Sequence, residues 1–334
     1  MSTSILEETL KKLNIPTNYS DNEWHIITNI LPFDELKIVG SSKFIQLVGE
    51  SGTGRTSIAL QIALAYCLQG LTVVFVDADG HLTERKLDMF SEYRNKNFIF
   101  IKESLFNELE QILDGLISTG EIDLIIIDSL PSLINSGYVN CKKGKKKTIS
   151  IDNNNTNYDS RPLGLFINKY HSICSRTGMS MLLVNGYRNK ISKLKGTVQK
   201  RYGLKTLDYS SSDIIEITEY TKNVTLKKFM DTFSKSSQGK PLLFKVVKNN
   251  TVSENTMYPF FFKYGKGVSN YYYGIFYLFL KNKVVQNGGY YAIPESKVSE
   301  KGIDRFANKI YELMPNLYKN NKREIIECIS KKEE

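Results

Sequence analysis

A glycine-rich segment at residues 49–56 has the residue types and spacing of a phosphate-binding loop. The segment reads GESGTGRT and fits the pattern G-x-x-x-x-G-K-[ST] at every fixed position except the lysine, which is replaced by Arg55. Glycines allow such a loop to turn its backbone N–H groups toward a phosphate, and the helix predicted after it adds its positive N-terminal dipole. The segment therefore predicts nucleotide binding, and a structural glycine-rich turn is the alternative. The residues expected to contact a nucleotide are Gly49, Glu50, Ser51, Gly52, Thr53, Gly54, Arg55 and Thr56.

Two aspartates could supply the carboxylates that triphosphate hydrolysis needs. Such a reaction requires a carboxylate for Mg²⁺, a second carboxylate to align the attacking water and a cation for the γ-phosphate. Asp128 follows the apolar run DLIII and is predicted to hold Mg²⁺ together with the hydroxyl of Thr56, whereas a helix cap or turn is the alternative. Asp79 lies three residues beyond another apolar run and is predicted to align the water.

The chain alternates apolar runs of strand length with segments of helical spacing. Strands are predicted at 43–48, 71–76, 123–127, 181–184, 214–218 and 242–247, and helices at 57–68, 105–118 and 165–177. This alternation predicts an α/β fold with a parallel-type central sheet flanked by helices on both faces. Polar residues that follow the strands would then meet at one edge of the sheet, namely Asp77, Asp79, Asp128 and Asn185.

Smaller units are predicted at both ends of the chain. A capping-box pattern at Ser4–Glu7 begins a short amphipathic helix before Pro16, which would act as a lid or contact a neighbouring subunit. From about residue 266 the chain becomes aromatic-rich and then amphipathic, with helices predicted at 301–313 and 321–329. We therefore predict an N-terminal helix and linker at 1–35, a core at 36–265 and a small C-terminal α/β domain at 266–334.

Positive charge is concentrated in two segments. The formal net charge is +10, but residues 141–147 hold five lysines and residues 188–205 hold seven basic residues, and neither segment contains a carboxylate. The remaining chain has 33 basic and 35 acidic residues. Both segments are predicted to be loops that bind a polyanion, because phosphate neutralisation supplies much of the affinity for nucleic acids. A solvated loop without a ligand is the alternative for the lysine-rich segment.

The composition is that of a soluble globular protein. Apolar residues make up 41% of the chain and charged residues 24%, and no apolar run reaches the roughly 18 residues that span a bilayer. The N-terminus lacks the basic and then apolar pattern of a secretory signal. Four widely spaced cysteines without a C-x-x-C pair favour reduced thiols and a cytoplasmic location.

The order of these parts resembles the RecA recombinase family, which includes the UvsX-like strand-exchange proteins of phages. Residues 122–133, IDLIIIDSLPSL, resemble the family's Walker B strand, and residues 182–188, LLVNGYR, resemble the strand that leads into its second DNA-binding loop. Residues 244–250, FKVVKNN, resemble the family's K-V-V-K-N-K strand. Residues 263–267, KYGKG, and 288–291, GGYY, resemble its Y-G-x-G-I turn and its G-x-W-Y hairpin, motifs that other ATPases of this fold lack.

The resemblance implies cofactors, partners and further site residues. ATP and Mg²⁺ would bind at the phosphate loop, Lys248 would reach the ATP of a neighbouring subunit in a helical filament, and Tyr264 would lie near adenine. Single-stranded and double-stranded DNA would bind at two loops, at about 134–163 and 188–206. Recombination mediators and single-strand-binding proteins are further expected partners, whereas a membrane is not. The residues predicted to contact DNA are Arg188, Lys190, Lys193, Lys195, Lys200, Arg201, Tyr202 and Lys205, with Tyr202 stacking on bases, and Lys142, Lys143, Lys145, Lys146 and Lys147.

Four departures from the family pattern affect hydrolysis. Arg55 replaces the loop lysine, Asp79 replaces a glutamate, Gly186 replaces a glutamine that senses the γ-phosphate, and Asn250 replaces an interface lysine. Arginine keeps the positive charge, but its planar guanidinium is bulkier than an ammonium group. The sequence therefore predicts a DNA-dependent ATPase with impaired turnover, in which Asp79, Arg55 and Lys248 carry the catalytic roles.

These observations support one main hypothesis and two alternatives. The main hypothesis is an ATP-dependent single-stranded DNA-binding recombinase that forms filaments and promotes homologous pairing and strand exchange in DNA repair, with slow hydrolysis. The first alternative is a catalytically weakened paralogue that serves as a DNA-binding or recombination-mediator subunit. The second is a ring-forming helicase or signalling ATPase, which need not have the C-terminal motifs. The abundance of Asn, Lys, Ile and Tyr favours an AT-rich genome, such as that of a phage or mobile element.

Overall fold

The structure is a computed structural model that describes most of the predicted core. The described residues are 24–94, 96–134, 160–192, 196–203, 205–219, 239–250, 252, 254–265, 267–269, 275, 278, 283–296 and 298–314. The predicted N-terminal helix, the lysine-rich segment at 141–147, Lys193, Lys195 and the predicted helix at 321–329 lie outside these residues.

The strands among the described residues fall into three sheets. In chain order they are β1 (Phe44–Gly49), β2 (Val73–Asp77), β3 (Phe98–Ile101), β4 (Leu124–Asp128), β5 (Ser180–Asn185), β6 (Tyr187–Ser192), β7 (Gly196–Arg201), β8 (Asp213–Glu219), β9 (Gly239–Lys248), β10 (Met257–Lys263), β11 (Gly267–Ser269), β12 (Val285–Asn287), β13 (Tyr290–Ile293) and β14 (Val298–Lys301). The central sheet has the order β11-β10-β9-β8-β1-β5-β4-β2-β3. Strands β8, β1, β5, β4, β2 and β3 are parallel, and β9, β10 and β11 extend the sheet in antiparallel fashion.

Helices cover both faces of the central sheet, which confirms the predicted α/β fold. They are α1 (Leu31–Glu35), α2 (Arg55–Leu68), α3 (Glu84–Leu87), α4 (Phe106–Ile117), α5 (Ser160–Thr177), α6 (Lys205–Ser210) and α7 (Ile303–Leu313). Alternate residues of β2 enter different cores, because Val73 and Phe75 pack with α2 whereas Val74 and Val76 pack with α4 and α5. Strand β3 and the β10–β11 hairpin were not predicted from the sequence. No helix among the described residues is long and apolar enough to cross a membrane.

The C-terminal region contains a small antiparallel sheet, β12-β13-β14, that packs on α7. The turn between β12 and β13 consists of Gly288 and Gly289, whose φ angles of 53° and 87° suit the tight turns of hairpins. The hairpin predicted at residues 288–291 is therefore present. Strand β11, at 267–269, belongs to the central sheet, which thus extends beyond residue 265.

One buried glutamine connects the centre of the sheet with α6. Gln46, on β1, is 0% exposed, and its amide nitrogen donates to the hydroxyl of Ser211 at 2.8 Å and to the carbonyl of Leu207 at 3.3 Å. Its amide oxygen accepts a hydrogen bond of 3.1 Å from the side chain of Asn185, at the end of β5. Gln46 therefore joins β1, β5 and the segment that ends α6.

We predict that Gln46→Ala destabilises the protein. The substitution leaves the buried amide of Asn185 without one of its acceptors, which lowers the free energy of unfolding by about 1–3 kcal/mol. Urea denaturation followed by circular dichroism measures the change. The matched control is Gln69→Ala, because Gln69 is exposed and its amide donates to Ala65 O within α2. Equal stabilities of the two variants would contradict the assigned role of Gln46.

Candidate nucleotide site and the adjoining basic hairpin

The predicted phosphate loop connects β1 to α2. Strand β1 ends at Gly49 and α2 begins at Arg55, with Gly54 as its N-cap residue. Gly52 and Gly54 have φ angles of 80° and 81°, a left-handed conformation that side chains disfavour. Because the N-cap residue is a glycine, it has no side chain that could accept a hydrogen bond from the first N–H groups of this 14-residue helix. These groups and the helix dipole form a site suited to an anion such as a phosphate.

The hairpin of β10 and β11 packs against the phosphate loop. A Cβ atom added to Gly54 would lie 2.8 Å from the Phe262 ring, so the aromatic ring contacts the loop backbone closely. Gln61 of α2 accepts a hydrogen bond of 2.9 Å from the N–H of Val268, which holds the hairpin on the helix. Tyr264 follows β10, is 57% exposed and has its ring centroid 6.2 Å from that of Phe262. Its position beside the loop is compatible with the predicted contact to a base.

Thr56 and Asp128 lie together, as their predicted roles in Mg²⁺ binding require. Asp128 ends β4, is 5% exposed and forms a hydrogen bond with the side chain of Thr56. Burial raises the pKa of the Asp128 carboxyl to about 6, with Asp79 contributing in the same direction, whereas Thr56 and Arg55 lower it. Mg²⁺ is usually held by one or two carboxylates together with water and phosphate oxygens, and this pair fits that pattern. Among the described residues no three His, Cys, Asp or Glu side chains form a metal cage.

The Asp79 carboxylate is held by the turn that follows β4. The hydroxyl of Ser129 donates to Asp79 Oδ1 at 2.9 Å, and the hydroxyl of Ser132 donates to the same oxygen. Sequence reasoning did not identify Ser132, because a serine in a turn carries no distinguishing signal. Asp77 has a different role, since its carboxylate accepts the N–H groups of His81 and Leu82 at 3.2 and 3.0 Å and stabilises the turn after β2.

Arg55 extends from the phosphate loop to the end of β5. Its Nη1 atom donates a hydrogen bond to the carbonyl of Asn185. A Cβ atom added to Gly186 would lie 3.3 Å from the same Nη1. Burial lowers the pKa of the Arg55 guanidinium, and the charges of Asp128 and Asp79 oppose this effect. Because the guanidinium group has so high an intrinsic pKa, it stays protonated and carries a positive charge into the site.

The second basic segment forms a β-hairpin, so the prediction of a loop at 188–205 is wrong. Strand β6 pairs with β7 in antiparallel register, with Arg188 opposite Lys200 and Lys190 opposite Val198. The hairpin starts directly after β5, at the same sheet edge as the phosphate loop. A charged segment without alternating hydrophobicity gives no strand signal, which explains the error.

Two of the residues predicted to bind DNA have structural roles in this conformation. Tyr202 is 6% exposed and packs in the core with Leu207, so the prediction that Tyr202 stacks on bases is wrong here. The guanidinium of Arg201 forms an ion pair with Asp208 at 3.0 Å. Lys205, by contrast, is exposed at the start of α6 and remains a predicted DNA contact.

Lys248 stabilises the end of α6. Its Nζ atom donates to the carbonyls of Asp208 and Tyr209, both at 3.0 Å. A cation at the C-terminus of a helix interacts favourably with the unpaired carbonyls and with the helix dipole. Its predicted contact with the ATP of a neighbouring subunit stays a prediction.

Comparisons with known proteins agree on one family. The sequence model described as "RecA N-terminal domain" matches residues 36–269, which is more than half of the chain. Protein RecA of Fusobacterium nucleatum is 25% identical over 299 residues, which cover 88% of this chain and 72% of that protein. The DNA repair and recombination protein RadB of Methanococcus maripaludis is 26% identical over 220 residues, or 64% of this chain and 92% of that protein. The crystal structure of a RadB recombinase shares the fold with a TM-score of 0.50, 19% identity and coverage of 73% of this chain and 98% of that one.

We predict that Asp128→Asn weakens Mg²⁺-dependent nucleotide binding. The amide keeps the shape of the side chain but removes the negative charge, so affinity in the presence of Mg²⁺ falls by about tenfold or more, while affinity measured in EDTA changes little. Titration with a fluorescent ATP analogue measures both affinities. Asp88→Asn, an exposed aspartate after α3, is the control. Equal losses with and without Mg²⁺ would argue against metal binding by Asp128.

Proposed function

Because the chain belongs to the RecA family, we propose that it is an ATP-dependent recombinase that binds single-stranded DNA, forms filaments and promotes homologous pairing and strand exchange. A role in DNA recombination and repair follows from the family itself. ATP with Mg²⁺ is the proposed cofactor, and recombination mediators or single-strand-binding proteins are the proposed partners. The buried free thiols of Cys67 and Cys174 are compatible with a reducing cytoplasm.

One observation carries this proposal: the phosphate loop and the basic hairpin leave neighbouring parallel strands at the same sheet edge. Strand β1 pairs with β5 so that Val48 lies opposite Asn185, one residue before each strand's connection to the loop or the hairpin. A nucleotide at the loop and a polyanion at the hairpin would therefore bind on adjacent parts of the molecule. This proximity supports a coupling between ATP binding and DNA binding.

We further propose that hydrolysis is slow. Asp79 is one methylene shorter than glutamate, and its Oδ1 atom already accepts hydrogen bonds from Ser129 and Ser132. Arg55 presents a planar guanidinium that is bonded to Asn185, where the phosphate-loop pattern has a compact ammonium group. Both features reduce the stabilisation of the transferring phosphoryl group without preventing binding of ATP.

A second candidate function is that of a mediator or structural subunit without useful ATPase activity. The engagement of Arg55 by Asn185 favours this candidate, because it diverts the loop cation from the phosphates. The ATPase rate of the Arg55→Lys variant distinguishes between the two candidate functions. A DNA-dependent ATPase gains turnover when the lysine is restored, whereas an ATPase rate that stays at background in Arg55→Lys favours the mediator.

We predict that loss of hairpin charge weakens DNA binding. Arg188→Ala combined with Lys200→Ala lowers affinity for single-stranded DNA by about tenfold at moderate salt and reduces the dependence of log K on log salt by about one to two units. Fluorescence anisotropy at several salt concentrations measures both quantities. The control combines Lys86→Ala with Lys96→Ala, which removes two exposed lysines between β2 and β3. If the two pairs lower affinity equally, only net charge matters and the hairpin is not the DNA site.

The complete proposal is tested by ATP-dependent strand exchange and by electron microscopy of filaments on single-stranded DNA. A protein that binds ATP but forms no complex with single-stranded DNA under any nucleotide condition would overturn it. Closed rings in the absence of filaments would instead favour a helicase or signalling ATPase.

A further inference from the structure

The space above Gly186 is enclosed by three parts of the site. A Cβ atom added at this position would lie 3.3 Å from Arg55 Nη1 and 4.0 Å from both Gly49 O and Pro131 Cγ. These atoms belong to the start of α2, the end of β1 and the turn after β4. Residue 186 therefore lies where the phosphate loop, the turn after the Mg²⁺ carboxylate and the base of the basic hairpin meet.

The Arg55 side chain occupies this space and makes a specific contact in it. Nη1 donates to the carbonyl of Asn185, which is 130 residues away along the chain. A guanidinium has five N–H donors in a fixed planar arrangement, whereas a lysine ammonium is a compact charge at the end of a shorter side chain. Arg55 can therefore bond to this carbonyl and present further donors to a second acceptor.

Asn185 and Gly186 connect the start of the hairpin with its end. The side-chain amide of Asn185 donates to the carbonyl of Tyr202 at 2.8 Å, and the backbone N–H of Tyr202 donates to the carbonyl of Gly186 at 2.8 Å. The hydroxyl of Tyr187, the first residue of β6, donates to Glu216 of β8. The Asn185 carbonyl is part of the peptide bond to Gly186, and the Gly186 carbonyl contacts Tyr202, which follows β7, so a displacement of the Asn185 carbonyl would reach both ends of the hairpin.

We infer that Arg55 is a positioning residue that couples a phosphate in the loop to the basic hairpin by sharing its guanidinium between phosphate oxygens and the Asn185 carbonyl. The inference rests on the proposed function, in which the loop binds ATP and the hairpin binds DNA. A triphosphate attracts the guanidinium, because charge-assisted bonds to phosphate are stronger than a bond to a neutral carbonyl. The contact with Asn185 changes as a result, and the base of the hairpin changes with it.

The same geometry makes Arg55 and Gly186 mutually dependent. A side chain longer than a methyl group at position 186 would occupy the volume that contains Nη1, so the guanidinium would be displaced. Gly186 has no positive φ, so substitution there does not strain the backbone itself. Arg55→Lys removes the contact from one side, and Gly186→Leu removes it from the other by filling the space without adding a group that could bond to a phosphate. Their effects on coupling should overlap instead of adding.

The first test is hydrogen–deuterium exchange of the full chain with and without Mg²⁺ and a non-hydrolysable ATP analogue. In the natural protein we expect the nucleotide to change amide exchange in peptides that cover 186–192 and 196–203. Arg55→Lys and Gly186→Leu should each reduce this change by about fivefold when exchange is measured at nucleotide concentrations that saturate each variant. The controls are Arg94→Lys, which keeps the exposed pairing with Glu84, and Gly115→Ala, which adds a methyl group to open space on α4.

The second test measures the ratio of the dissociation constants for single-stranded DNA without and with the nucleotide. We expect a ratio of roughly 5 to 100 for the natural protein and a ratio near one for each single variant. The double variant should lose no more coupling than the more severe single variant. Unchanged ratios in both single variants, or losses that add as independent effects, would overturn the inference.

The two tests separate this inference from the proposed function. A hairpin that responds to nucleotide in a protein that does not bind DNA would refute the recombinase proposal and support the coupling by Arg55. If the protein binds nucleotide and DNA but the hairpin amides do not respond to nucleotide, the recombinase proposal stands and the coupling by Arg55 is refuted. Absence of nucleotide binding would refute both.

Discussion

Parallel pairing of β1 between β5 and β8 is the constraint on which the site depends. Parallel strands bring their carboxyl ends to one edge of the sheet, and connections there lie close together even when they are distant in sequence. The register places Val48 opposite Asn185 and Gly49 opposite Ile217. The phosphate loop, the base of the hairpin and the end of β8 consequently form one continuous surface, which strand β4 extends with Asp128.

Electrostatics at this edge combine the partly buried guanidinium of Arg55 with carboxylates. Burial disfavours the charged form of both Arg55 and Asp128. It therefore lowers the pKa of the Arg55 guanidinium and raises the pKa of the Asp128 carboxyl. The attraction between the two charges opposes both shifts. Polar contacts with Thr56 and Asn185 satisfy further donors and acceptors. An arrangement of this kind is suited to bind a phosphate with its metal ion, because the ligand supplies charges that balance both groups.

Sequence patterns predicted the strands of the core well, because parallel strands buried on both faces are continuous apolar runs. Strand β4 was predicted at 123–127 and lies at Leu124–Asp128, and β5 was predicted at 181–184 and lies at Ser180–Asn185. The hairpin of β6 and β7 was mistaken for a loop because its charged residues do not alternate with apolar ones. Tyr202 was assigned to the surface for the same reason, although it packs with Leu207 in the core.

The sequence by itself determined the family, the order of elements and the residue types at the phosphate loop, since these depend on local patterns and short motifs. Only the tertiary structure decided which groups meet: Arg55 with Asn185, Asp79 with Ser132, and Lys248 with the end of α6. Partners separated by 130, 53 and 40 residues are brought together by strand order and side-chain packing, which no local pattern encodes. The sequence shows that an arginine replaces the loop lysine, but only the structure shows that its guanidinium lies beside Gly186, where there is no side chain to exclude it.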